Sequence, residues 1–101
     1  ENVVQRKYDL GTLDEVLDLL RGKPVYLTID LDVLDPSIFP GTGTPEPGGV
    51  SFVDLISAVH SMKGLDIVGC DVNELAPHYD SSGVSTAVAC KVIRELILTI
   101  L

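Results

Sequence analysis

The chain has 101 residues, which is room for one domain or a part of one. Its formal net charge of −8 excludes the clustered cationic footprint of a nucleic-acid binder. Hydrophobic residues make up 46% of the chain and Trp is absent, so the expected core is aliphatic. The apolar C-terminal segment is interrupted by Lys91, Arg94 and Glu95, which fits a buried helix rather than a membrane span. No signal peptide stands at the start, and two cysteines make no disulfide framework. Cys70 and Cys90 sit in apolar runs and are expected as reduced, buried thiols of a cytoplasmic protein.

Residues 1–11 carry no firm pattern. Thr12-Leu13-Asp14-Glu15 has the form of a capping box, and Leu13, Val16, Leu17 and Leu20 follow at helical spacing. Gly22 and Pro24 end that helix. Val25 to Ile29 is β-branched, aromatic or apolar throughout and predicts a strand. The strand runs into Asp30-Leu31-Asp32-Val33-Leu34-Asp35-Pro36, and a Pro/Gly-rich loop follows to Gly49. Ser51 caps a second helix with Phe52, Leu55, Ile56 and Val59 on one face, closed by Lys63-Gly64. Leu65 to Val72 predicts a second strand that ends in Asn73 and Glu74. After the loop Leu75 to Asp80, Ser81 or Ser82 caps a last helix, apolar on most sides, that runs to the C-terminus.

Strands that alternate with helices in this order predict βαβ units and a parallel sheet. Both strands deliver acids at their C-terminal ends, the side on which open α/β sheets bind ligands. Asp30, Asp32 and Glu74 are therefore expected to line one crevice. On an extended backbone the carboxylates of Asp30 and Asp32 would point to the same side and repel unless a cation or proton lies between them. Their oxygen donors suit Mg²⁺ or Mn²⁺ better than Zn²⁺. Asp35, ahead of Pro36, is expected to form a turn. Gly41-Thr42-Gly43-Thr44-Pro45 lacks the spacing of a phosphate loop, although Thr44 offers a hydroxyl to a substrate. His60 is given no catalytic role, and His78 is expected as a surface residue, with a substrate contact as the alternative. Two strands do not make a covered parallel sheet alone, so more chain is expected around them.

Taken together, Thr28 to Pro36, then Pro40-Gly41-Thr42-Gly43-Thr44-Pro45-Glu46-Pro47-Gly48-Gly49, then Gly69 to Asp80 resemble the signature segments of the ureohydrolases, the arginase and agmatinase family. The resemblance covers nearly the whole chain from Val25 onward. It implies the C-terminal portion of a three-layer α/β/α arginase-like domain with a parallel sheet. It also implies a binuclear Mn²⁺ site, with Asp30 bridging the metals and Asp32 binding one of them. Glu74 would pair with the substrate guanidinium, and Thr44 would stand beside the substrate. Glu46 to Gly49 and Ala76 to Asp80 are closer to the agmatinase form, which implies hydrolysis of agmatine, a small cationic guanidino compound, to putrescine and urea. His78 departs from the proline common there. Family members tend to be homo-oligomers, trimers or hexamers. The family's remaining metal ligands come from an upstream histidine and a D-x-H-x-D cluster, and residues 1–24 match neither. The expectation is thus that residues 1–101 are a C-terminal fragment of a ureohydrolase domain, inactive alone. Two other readings stand beside this one. In a haloacid-dehalogenase-like phosphatase Asp30 would be the nucleophile and Asp32 the general acid. Otherwise the chain is a non-catalytic fragment.

Overall fold

The computed structural model describes residues 3–6 and 10–101. The elements follow the order α1 (Leu10–Leu20), β1 (Pro24–Asp30), a 3-10 turn (Leu31–Val33), α2 (Phe52–Ser61), β2 (Asp66–Asn73), a second 3-10 turn (Pro77–Tyr79) and α3 (Val84–Ile100). Among the described residues β1 and β2 form one parallel sheet, as the alternation of helix and strand predicts.

The register pairs Thr28 with Asp71, Ile29 with Val72 and Asp30 with Asn73. It shifts between Val25 and Tyr26, opposite Ile67 and Gly69, which leaves Val68 as an extra residue on β2. Tyr26 lies across Gly69 so closely that a Cβ there would meet its ring at 2.9 Å. Leu27, Ile29 and Val72 turn towards the helices and join a core of Leu31, Leu34, Phe39, Val59, Val92 and Leu96. Tyr26, Thr28 and Asn73 stay exposed on the opposite face. The core is almost wholly aliphatic, with Phe39 as its fully buried aromatic ring.

Helix boundaries differ from the expected ones. The backbone is already helical from Leu10, so Thr12 lies inside α1 rather than capping it. A cap contributes only about 1 kcal/mol and does not fix a helix start when helical sequence extends upstream of it. Ser51 does cap α2, accepting the Asp54 N–H at 3.1 Å. At α3 the cap position belongs to Gly83, with φ of 78°, rather than to Ser81 or Ser82. The capping chemistry is still side-chain chemistry there. Ser82 Oγ accepts the Val84 N–H at 3.2 Å, and Asp80 accepts that of Ser85 at 2.8 Å.

α3 is less buried than its composition suggests. Ser85, Ala89, Val92 and Leu96 form its covered stripe, while Val84, Ile93, Ile97 and Leu98 are exposed. The thiols also depart from expectation: Cys70 and Cys90 are free but both are exposed. Cys90 falls on the side of α3 away from the covered stripe. No helix among the described residues is long and apolar enough to cross a membrane.

Candidate functional site

Asp30 is the last residue of β1, and the chain does not stay extended beyond it. Leu31–Val33 closes a 3-10 turn for which Asp30 is the N-cap, its Oδ1 accepting the Asp32 N–H at 3.0 Å. The two acids are therefore related by a capped turn, not by the two-residue alternation of a strand. The physical reason is local: an Asp side chain competes for the backbone N–H two residues on, and an apolar Leu31 is drawn into the core. Asp32 is half-buried, and its Oδ2 accepts the Thr44 hydroxyl at 3.0 Å. Oδ2 of Asp30 and Oδ1 of Asp32 take no hydrogen bond among the described residues.

Thr44 reaches Asp32 because both ends of its loop are pinned. Asp35 N–H bonds to Val50 C=O at 3.0 Å and Val50 N–H to Val33 C=O at 2.8 Å, so Leu34 and Val50 stand side by side. The Asp35 carboxylate accepts three backbone N–H groups, from Ser37 at 2.9 Å, Gly48 at 2.9 Å and Gly49 at 3.1 Å. These bonds, Ser37's first, hold its pKa down at about 2. Asp35 is thus the turn former that the sequence predicts. Gly49 is a glycine because a Cβ would fall 2.5 Å from the Asp35 nitrogen.

Glu74 follows the last residue of β2. Because Asp30 pairs with Asn73, Glu74 stands one residue beyond the rung on which β1 ends. It is exposed and adopts φ of +75°, the single positive value at a non-glycine among the described residues. A left-handed conformation costs an L-residue about 1–2 kcal/mol. Asp32 and Thr44 are brought into contact, and Asp30 bonds the Asp32 backbone. Glu74 shares no hydrogen bond with any of them, and no group of three or more His, Cys, Asp or Glu gathers among the described residues. Asp30 and Asp32 therefore fit as part of a hard-cation site, with two oxygen-donor residues towards a shell of six or more.

Two networks escaped the sequence reading. On the exposed sheet face Asp71 Oδ1 accepts the Thr28 hydroxyl at 2.6 Å and the Asn73 amide at 2.5 Å. Thr28, then Tyr26 and Asn73, hold the Asp71 pKa down, and Asp71 in turn raises that of the Tyr26 hydroxyl. This ties the strands together two rungs before Asp30. Sequence offered a usable signal here, since period-two alternation puts Tyr26, Thr28 and Asp30 on one face. The second network joins Gly41, Ser85 and Asp80, and nothing in the sequence connects residues so far apart. His60, given no catalytic role, bonds Glu95 at 2.9 Å and so ties α2 to α3. His78 is exposed and lies against Tyr79 with ring centres 4.1 Å apart.

Residues 2–99 match the Arginase family. The chain belongs to the arginase family. Among the relatives of this arginase-family chain, the agmatinase of Bacillus subtilis is 46% identical over 91 residues, covering 88% of the chain and 31% of the relative. A guanidinobutyrase of Pseudomonas aeruginosa is 39% identical over 83 residues, covering 82% of the chain and 26% of that enzyme. The crystallised proclavaminate amidino hydrolase of Streptomyces clavuligerus superposes with a TM-score of 0.83 at 37% identity, over 88% of this chain and 30% of its own. The chain thus spans about a third of the length of the curated relatives it matches. The observed sheet and helices are a partial arginase-like α/β domain. Membership removes the haloacid-dehalogenase-like assignment of Asp30 and Asp32.

Proposed function

We propose that this chain is the C-terminal part of a metal-dependent ureohydrolase that hydrolyses agmatine to putrescine and urea. The observation that carries the reading is the parallel register, which ends β1 at Asp30 level with the strand that delivers Glu74. Asp30 and Asp32 would hold a divalent cation, Mn²⁺ in a binuclear site, through the carboxylate oxygens left without hydrogen bonds. When bound, the metal supplies Lewis-acid activation of water. Thr44 holds Asp32 through Oδ2 and so fixes its rotamer. Glu74 offers its carboxylate to the cationic guanidinium, a pairing that planar donors make in two parallel bonds. The remaining ligands would come from residues outside this stretch, so the 101 residues alone would be inactive. The intact protein is proposed to be cytoplasmic and a homo-oligomer, trimer or hexamer.

The test is urea release by the intact protein in Mn²⁺, from agmatine, arginine and 4-guanidinobutyrate in parallel, with and without Asp30→Asn. Urea from agmatine alone, lost in the variant, is the expected result. Urea chiefly from 4-guanidinobutyrate would move the substrate to a guanidino acid, the class to which the 39% identical guanidinobutyrase points by name. Urea release that survives Asp30→Asn would remove Asp30 from the metal site.

A further inference from the structure

Gly41 is held at both of its backbone polar groups by segments far away in sequence. Its N–H donates to Ser85 Oγ at 2.8 Å, at the start of α3. Its C=O accepts the N–H of Ala76 at 2.7 Å, two residues past Glu74. Ser85 is fully buried, and its hydroxyl passes the interaction on to Asp80 Oδ2 at 2.6 Å. Asp80 also accepts the Ser85 N–H at 2.8 Å and both the N–H and hydroxyl of Ser82. The fit leaves no slack: a Cβ on Gly41 would lie 2.7 Å from Ser85 Cβ and 3.1 Å from Asp80 Cβ. Fixed donors, Ser82's and Ser85's hydroxyls first, hold Asp80 ionised with a pKa of about 2.

Gly41 stands three residues before Thr44, whose hydroxyl is on Asp32. Ala76 stands two residues after Glu74. One buried hydroxyl therefore anchors Gly41 in the loop that reaches Asp32, and the Gly41 carbonyl in turn holds the segment that carries Glu74. We propose that Ser85, acting with Asp80, is a positioning residue that fixes the spacing between the Asp32–Thr44 pair and Glu74. This rests on the reading of Asp32 as a metal ligand and Glu74 as the guanidinium partner. The spacing is what a ureohydrolase must hold, because Glu74 grips the same guanidinium whose carbon must meet the metal side. Misplacing reacting groups by about 1 Å costs up to about 100-fold in rate. Ser85 touches neither substrate nor metal in this scheme and acts through Gly41.

The experiment uses the intact protein in Mn²⁺ with agmatine. Ser85→Ala is expected to lower kcat/KM about ten-fold, chiefly in kcat. In a Glu74→Gln background Ser85→Ala is expected to change kcat/KM less than about two-fold, since the spacing it sets no longer serves a working partner. Multiplying losses, or no loss in Ser85→Ala, would overturn the proposal. A second readout needs no activity: amide hydrogen exchange at Gly41 and Ala76, both expected to speed up together in Ser85→Ala well below its melting temperature. Unchanged protection of Ala76 overturns the proposal. If the wild type releases no urea from any guanidino compound, the functional reading fails while the exchange measurement still decides whether Ser85 sets the spacing. Asp80→Asn carries the same measurements should Ser85→Ala fail to fold.

Discussion

Among the described residues two side-chain hydroxyls are buried, and they should respond to removal in opposite directions. Thr42 is 3% exposed and its Oγ1 has no hydrogen-bond partner among the described residues. Ser85 is 0% exposed and its Oγ both donates to Asp80 and accepts from Gly41. A hydroxyl buried without a partner costs about 1–3 kcal/mol by mutational measures, and Val matches the shape of Thr. Thr42→Val should therefore stabilise the protein by up to about that amount. In a protein of 150–250 residues each kcal/mol moves Tm by about 2–4 °C, and in a longer one by less, which calorimetry resolves. Ser85→Ala should do the reverse, because it strands the Gly41 N–H in the interior, at a cost of about 1–3 kcal/mol. Urea denaturation of both variants beside wild type, with the slope checked for constancy, gives the two numbers. A Thr42→Val variant that is destabilised would show that Oγ1 has a partner, a bound water included, and would refute the argument. So would a Ser85→Ala variant as stable as wild type.

Phe39 is fully buried at the centre of the core, and Phe39→Ala should cost about 3–5 kcal/mol, read from the same denaturation curves. Asp35, Asp80 and Glu95 each have a folded pKa of about 2, below the ordinary carboxylate value near 4. Their contribution is complete above about pH 4.5 and disappears as pH falls through about 2, so stability should drop steeply across that interval. Glu95→Gln should flatten the drop, since Lys91 and then His60 are what hold that carboxylate low. Glu74→Gly should relieve a left-handed backbone strain of about 1 kcal/mol, so the melting temperature rises or holds while KM for the guanidino substrate increases.

How much of this was legible in the sequence depends on how local each signal is. The two strands, the Ser51 cap and the Asp35 turn were readable because each is decided by a handful of neighbouring residues. Parallel pairing was readable because short strands joined through helices permit little else. The D-x-D geometry was misread for an instructive reason. Alternation holds only while the backbone stays extended, and Asp30 ends the strand by capping a turn with its own side chain. The cysteines were misread because apolar neighbours in sequence do not ensure cover in space. Cys90 sits on the bare side of α3, and Cys70 on a strand that pairs with β1 alone. The apolar surplus of α3, in contrast, was a sound signal that this helix has more apolar surface than the present elements cover. The Gly41–Ser85 contact spans 44 positions, and pairings of that range depend on the packing of α3 that creates them.

The loop from Asp35 to Val50 shows how a segment poor in secondary structure can still be rigid enough to carry a site. It is closed at its neck by the Leu34–Val50 pairing and filled there by the Asp35 carboxylate, which satisfies three backbone N–H groups. Midway, Gly41 is fastened to α3 and to the chain after β2. Past that point Thr44 reaches back to Asp32. The fastenings at Val50, Gly41 and Thr44 each tie a loop group to a partner outside the loop, so each removes freedom that solvent would otherwise restore. Past Thr44, residues Pro45, Glu46 and Pro47 are exposed and make none of these fastenings. Glu46 is therefore free to vary without disturbing Asp32, whereas change at Gly41, Gly49 or Asp35 moves the whole loop.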